Sequence, residues 1–207
     1  MNTAVLAILS GLVFISFSGV MMPGPMFAVT LAKSFKSPAA GSLMALGHAV
    51  IEVPLILLIY FGLARFFQDT VFQLVLSFLG GGMVLWLGLG MLRSRRHADQ
   101  AGKDLPYSSF VAGILMTGLN PFFLLWWATI GSLLILTFLP FGPGGLAAFI
   151  AVHWLCDFIW LSFVSVTVYK THSLWGARVH AWIFTACGLL LAGFGVWFIV
   201  SGVRGVS

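Results

Sequence analysis

Apolar residues run along this chain in long blocks, and the polar residues collect in short stretches between them. Six blocks reach the ~20 residues that a membrane-spanning helix requires. They are Ala4 to Ala32, Gly41 to Ala64, Val71 to Leu92, Phe110 to Leu139, Gly145 to Tyr169 and Ala181 to Val203. The longest polar stretch, Arg93 to Ser109, leaves no room for a soluble domain. The pattern predicts an all-α integral membrane protein of six transmembrane helices forming a single domain over residues 1–207.

Two of the six blocks are interrupted. The first contains Pro23-Gly24-Pro25, where two prolines remove backbone donors and the glycine adds freedom. The fourth contains Gly118-Leu119-Asn120-Pro121, where the proline excludes a regular turn and Asn120 brings an amide that lipid would not tolerate unpaired. Both predict discontinuous helices.

Composition narrows the class. Hydrophobic residues make up 60% of the chain and charged residues 7%, with a mean hydropathy of +1.09. A soluble domain carries about a quarter charged residues, so the medium is a bilayer. The net charge of +5 does not point to nucleic acid, because the basic residues sit in connecting segments rather than in a stripe interleaved with aromatics. Eight of the ten, Lys33, Lys36, Arg93, Arg95, Arg96, Lys103, Lys170 and Arg178, follow the first, third and fifth blocks. Only Arg65 and Arg204 fall on the other side, and the positive-inside rule then puts both termini outside the cytoplasm. The first residues lack a basic n-region, so the first block is expected to be retained. Cys156 and Cys187 lie in apolar blocks with no pairing pattern and read as reduced core residues.

The halves resemble each other. A broken helix, a helix carrying His-x-x-x-acid and a Gly-rich helix occur twice in that order, over about 1–96 and about 107–207. Gly82, Trp86 and Arg93 match Gly193, Trp197 and Arg204 at one constant offset. Three spans per half require the second copy to be inverted, an architecture of secondary transporters whose sites lie near the midplane.

The candidate chemistry sits in the second helix of each half. Glu52 and Asp157 lie deep in apolar sequence, each four residues after a histidine, His48 and His153. That spacing puts histidine and acid on one helix face. An ionised carboxylate at the bilayer centre costs ~2.5 to 3.5 kcal/mol even on the lenient insertion scale, so these groups must face protein or water. Burial opposes charge on either partner and pairing favours it, so such a pair is able to take up and release a proton. The functional reading is proton coupling; the bland one is a hydrogen-bonded pin between helices. Pro54 frees the Val50 carbonyl, either for a cation or merely at a kink. The broken helices leave N–H groups for a carboxylate and carbonyls for an ammonium, which suits an amino acid, or they are hinges without a ligand. Trp126 and Trp127 read as lipid-facing or interfacial anchors. Gly80-Gly81-Gly82 and the Gly188/Ala192 spacing permit close packing within the subunit or across a homodimer.

Met21-Met22-Pro23-Gly24-Pro25, Ser37-Pro38-Ala39-Ala40-Gly41, Ala45-Leu46-Gly47-His48 and Thr117-Gly118-Leu119-Asn120-Pro121 together resemble the LysE/RhtB family of amino-acid exporters. The likeness covers essentially the whole chain. It implies proton-powered efflux of an amino acid or related metabolite through a prokaryotic plasma membrane, without a cofactor. Family motif positions carry over at Pro23, Gly24, Pro25, Asn120 and Pro121, which are the expected substrate-binding residues.

The sequence therefore points to an exporter working by alternating access, with His48, Glu52, His153 and Asp157 as proton-coupling residues. A second reading takes those four as ligands for an exported divalent metal. Convergence of the two pairs within a few ångströms would favour metal; separation by a helix diameter would favour two proton sites. An intramembrane enzyme is disfavoured, since HExxH is absent and neither Cys nor Ser stands in a nucleophile setting. A scaffold has no use for intramembrane acids or broken helices.

Overall fold

The structure, a computed structural model, describes residues 3–21, 24–62, 69–94, 107–174 and 177–204. Those residues are helical nearly throughout and contain no strand. In chain order the helices are α1 (Thr3–Val20), α2 (Pro25–Ser34), α3 (Ala40–Tyr60), α4 (Thr70–Ser94), α5 (Ser109–Gly118), α6 (Pro121–Trp126), α7 (Ser132–Phe138), α8 (Gly142–Thr171) and α9 (Ala177–Arg204). Without water to accept bonds inside a bilayer, a helix is the form in which an apolar segment satisfies its own backbone.

Four stretches are long and apolar enough to cross a membrane: Ala40–Tyr60, Thr70–Arg93, Ser132–Leu174 and Ala181–Arg204. The bent pair α1 and α2 passes as a fifth. The Ser132–Leu174 run spans 43 residues, or ~65 Å at helical rise, about twice a hydrocarbon core. It is divided by a 3₁₀ turn at Leu139–Phe141 and by Gly142, whose φ of 63° turns the chain into α8.

Both interruptions expected from the sequence are present. The axes of α1 and α2 differ by 72°. Gly24 is extended ahead of α2, and Pro25 takes the first helical position, where its missing N–H costs nothing. Pro23, counted with them, lies outside the described residues. At the second break, α5 stops at Gly118, Asn120 Oδ1 accepts from the Phe123 N–H at 3.3 Å, and Pro121 opens α6. Asn120 thus uses its amide oxygen as a helix cap. A third irregularity has no proline or other turn signal in the sequence: a π-helical turn, Trp127–Gly131, joins α6 to α7. There the Ser132 hydroxyl donates to the Trp127 carbonyl at 2.9 Å. A Cβ on Gly131 would stand 2.2 Å from the Trp127 ring, so the bulge and the glycine together seat that indole.

Close backbone contacts fix α3 between its neighbours. A Cβ on Gly47 would fall 2.1 Å from the Phe110 carbonyl oxygen of α5, and one on Gly113 would fall 2.3 Å from that of Met44. On the other side, a Cβ on Gly41 would meet the Leu161 carbonyl of α8 at 1.8 Å. Small residues at such crossings let helices touch through their backbones. Helices α4 and α9 do the same within the chain, through Gly81 against Gly195 and Gly88 against Gly188. Two apolar cores result. One gathers Leu55, Ile56 and Ile59 of α3 with Leu124, Trp127 and Phe149; the other gathers Met44 of α3 with Val84, Met116, Leu191 and Phe198. His48 and Glu52 occupy the stretch of α3 between them.

Lys33, read from sequence as a loop cation, is instead buried at the end of α2, where its Nζ donates to the Tyr107 carbonyl ahead of α5. Cys156 and Cys187 are buried and free.

Candidate functional site

Helices α3 and α8 cross antiparallel: Ser42 Oγ meets Ser162 Oγ at 2.8 Å, and further along α3 the Trp154 indole donates to the Ala45 carbonyl at 3.1 Å. Both helices carry the histidine first and the acid four residues later. Read in opposite directions, the two motifs bring unlike groups level. Glu52 Oε1 lies 2.8 Å from His48 Nε2 and 3.3 Å from His153 Nε2. Asp157 Oδ2 lies 3.8 Å from His153 Nε2 and 3.9 Å from His48 Nε2. A parallel crossing would have set histidine against histidine. The two pairs are therefore one cluster, and two sites a helix diameter apart are excluded.

All four residues are buried: His48 is 8% exposed, Glu52 1%, His153 5% and Asp157 7%. Each histidine uses its other ring nitrogen on a hydroxyl of a broken segment from the opposite half of the chain. His48 Nδ1 contacts Thr117 Oγ1 of α5 at 2.8 Å, and His153 Nδ1 contacts Ser16 Oγ of α1 at 2.7 Å. Aromatic rings enclose the imidazoles: Trp127 meets the His153 ring edge-on at 5.1 Å, Phe149 stacks on it at 5.9 Å, and Phe123 sits 5.3 Å from His48. Glu52 Oε2 and Asp157 Oδ2 are buried and make no hydrogen bond. Such acceptors are costly to leave unmet and favour a donor that can reach them.

The cluster forms one wall of a cavity of about 310 Å³. Gly24 and Pro25 line it from the first break and Asn120 from the second; Pro121 instead borders a neighbouring cavity with Gln73 and Ser77. Trp126, Trp127 and Trp197 also line the main cavity, so the reading of Trp126 and Trp127 as lipid-facing anchors is overturned. Trp127, the first residue of the π turn, is in fact fully buried. Val50 is absent from the cavity wall, and α3 continues through Pro54 to Tyr60, so its freed carbonyl has no bearing on the site.

His48, Glu52 and Asp157 each offer an atom within 4.8 Å of the others, a donor set compatible with a divalent ion. Convergence is what the metal reading expects. Against it, the 2.8 Å contact between His48 Nε2 and Glu52 Oε1 is already a hydrogen bond. Ligands on a tetrahedral ion at zinc distances would stand roughly 3.3 Å apart.

The four ionisable residues and both breaks are visible in the sequence. The pairing of Ser16 and Thr117 with the histidines and the place of the tryptophans on the cavity wall are not, because they arise only from contacts between helices. A family model described as LysE type translocator matches residues 17–202, which takes in every residue of the cavity except Ser16. Comparisons with curated proteins and with solved structures gave no match.

Proposed function

This chain belongs to the LysE type translocator family, and on that footing we propose that it is a secondary active exporter of an amino acid or related small metabolite. It is a multi-pass membrane protein that moves a small molecule rather than transforming one. In our reading protons drive the export across a prokaryotic plasma membrane, by alternating access between two inverted halves of three spans each, with both termini outside the cytoplasm. The observation that carries this reading is the cavity itself, walled by residues of both helix breaks and by the four-residue His/carboxylate cluster.

The chemistry is a competition for two acceptors. Glu52 and Asp157 both line the cavity, and each keeps a buried oxygen without a bond, Oε2 and Oδ2, so a substrate ammonium and a proton compete for the same carboxylates. When the carboxyls are protonated the ammonium is released; when the ammonium is bound the proton has left. That exclusion couples opposite movements without any further device. The aromatic walls suit an ammonium face-on and an apolar side chain edge-on. The exposed donors at the N-terminal end of α2, after Gly24, suit the substrate carboxylate.

Several features support the inverted repeat: the antiparallel crossing of α3 with α8, the exchange of histidine–hydroxyl bonds between halves, and the reciprocal glycine contacts of α4 with α9. The interrupted segment α5 to α7 then serves as the fourth span and α8 as the fifth. The family does not favour metal as cargo. Purified protein in liposomes, loaded in turn with each protein amino acid, zinc or cadmium, tests the reading. An inward proton gradient should accelerate efflux of at least one amino acid, whereas movement of metal alone would overturn it.

A further inference from the structure

We propose that Thr117 is a positioning residue that holds the proton of His48 on Nδ1, so that Nε2, facing Glu52, is the ring nitrogen that gives and takes the transported proton; this rests on the proton-coupled reading above. Thr117 Oγ1 lies 2.7 Å from the Gly113 carbonyl oxygen and 2.8 Å from His48 Nδ1. Both are hydrogen-bond lengths, so each contact needs a proton. The carbonyl has none, and the hydroxyl has one, which it donates to the carbonyl. The second proton must therefore reside on Nδ1, with the Thr117 oxygen accepting.

On the far side of the ring, His48 Nε2 and Glu52 Oε1 stand 2.8 Å apart and share one more proton. It rests on nitrogen as imidazolium beside carboxylate, or on oxygen as neutral imidazole beside neutral carboxyl. In passing from Nε2 to Oε1 the N–H bond breaks and an O–H bond forms, and the pair keeps zero net charge throughout. A buried pair that shifts a proton without changing its charge avoids the desolvation cost that either group would meet alone. With the opposite tautomer, Nδ1 would lose the proton that its contact with Thr117 requires.

The groups facing His48 are Glu52 on its own helix, and Asp157 and His153 on α8; α5 and α6 present Thr117 and Phe123, neither titratable there. The second half carries no equivalent lock. His153 Nδ1 meets Ser16 Oγ at 2.7 Å, and the other partner of Ser16 is the Cys156 thiol, which can itself donate or accept and so, unlike a carbonyl, does not commit the serine hydrogen. Ser16 can donate or accept, so His153 is free to change tautomer while His48 is not.

The test is nitrogen NMR on histidine-labelled protein in lipid nanodiscs, with His48 assigned by its loss in His48→Gln. His48 should show a protonated Nδ1 across the pH range, with only Nε2 changing. Thr117→Val, an isostere without the hydroxyl, should release that tautomer, and Thr117→Ser should restore it. Proton-driven efflux of L-lysine, L-threonine and L-leucine should fall about tenfold or more in the valine variant and stay within about threefold in the serine variant. An unprotonated Nδ1 in the wild type, or a valine variant with an unchanged spectrum, would overturn the lock. Efflux indifferent to the proton gradient in the wild type would instead overturn the coupling reading, while the spectra still decide the tautomer.

Discussion

Glu52 sits where its environment leaves it the fewest alternatives. Its Oε1 meets both imidazoles, while its Oε2 is buried without a bond. Glu52→Gln keeps the shape and removes the exchangeable proton, and should lower proton-driven efflux by a hundredfold or so in protein that still elutes as a single species. Asp157→Asn should act in the same direction. Its oxygen lies near 4 Å from both histidines, so it belongs to the cluster through charge rather than through a hydrogen bond. Trp127→Ala makes a different prediction. It empties a fully buried site and frees the edge of His153, and should cost about 3 to 5 kcal/mol, read as a lower melting temperature in detergent. At this scale the sequence was half legible. An acid in an apolar helix announces itself because its cost demands a partner. Thr117 does not, because a hydroxyl in a helix ordinarily bonds its own fourth-preceding carbonyl, and Thr117 does that too. Its second contact, with His48, exists only in three dimensions.

Among the elements, the crossing of α3 with α8 decides what the motifs become. The two His-x-x-x-acid spacings were plain in the sequence, but their meaning depended on direction, and only the antiparallel arrangement makes one alternating cluster of them. The breaks were legible because proline and glycine act locally. The π turn was not, because it answers the bulk of Trp127 against Gly131 rather than any turn-forming residue. The crossing of α3 with α5 relies on Gly47 and Gly113, where an added Cβ would drive into a carbonyl oxygen. Gly47→Leu and Gly113→Leu should each force the helices apart, costing about 1 to 3 kcal/mol or more, and should separate His48 from Thr117. Thermal unfolding followed by circular dichroism checks the first consequence, and loss of efflux the second. An unchanged melting temperature in both would show that α3 and α5 do not touch as described.

For the whole molecule, the apolar blocks predicted more crossings than single helices supply. Four stretches qualify on length, one of them the Ser132–Leu174 run that joins α7 to α8, the bent α1 and α2 make a fifth, and α5 and α6 are too short to count by length alone. On the reading proposed above, α7 belongs with α5 and α6 as a crossing separate from α8, which makes six and would put both termini on the side poorer in lysine and arginine. A cytoplasm-dependent fluorescent protein fused at the C-terminus should therefore stay dark, and alkaline phosphatase at the same point should be active; the reverse pattern would overturn the orientation. The central claim, that one cluster carries both the proton and the solute's ammonium by turns, is tested most directly by proton counting in proteoliposomes. A pH-sensitive dye inside vesicles would follow proton movement as each amino acid flows down its gradient. The account predicts proton movement opposite to the solute in the wild type and none in Glu52→Gln. Equal proton movement in both would contradict it.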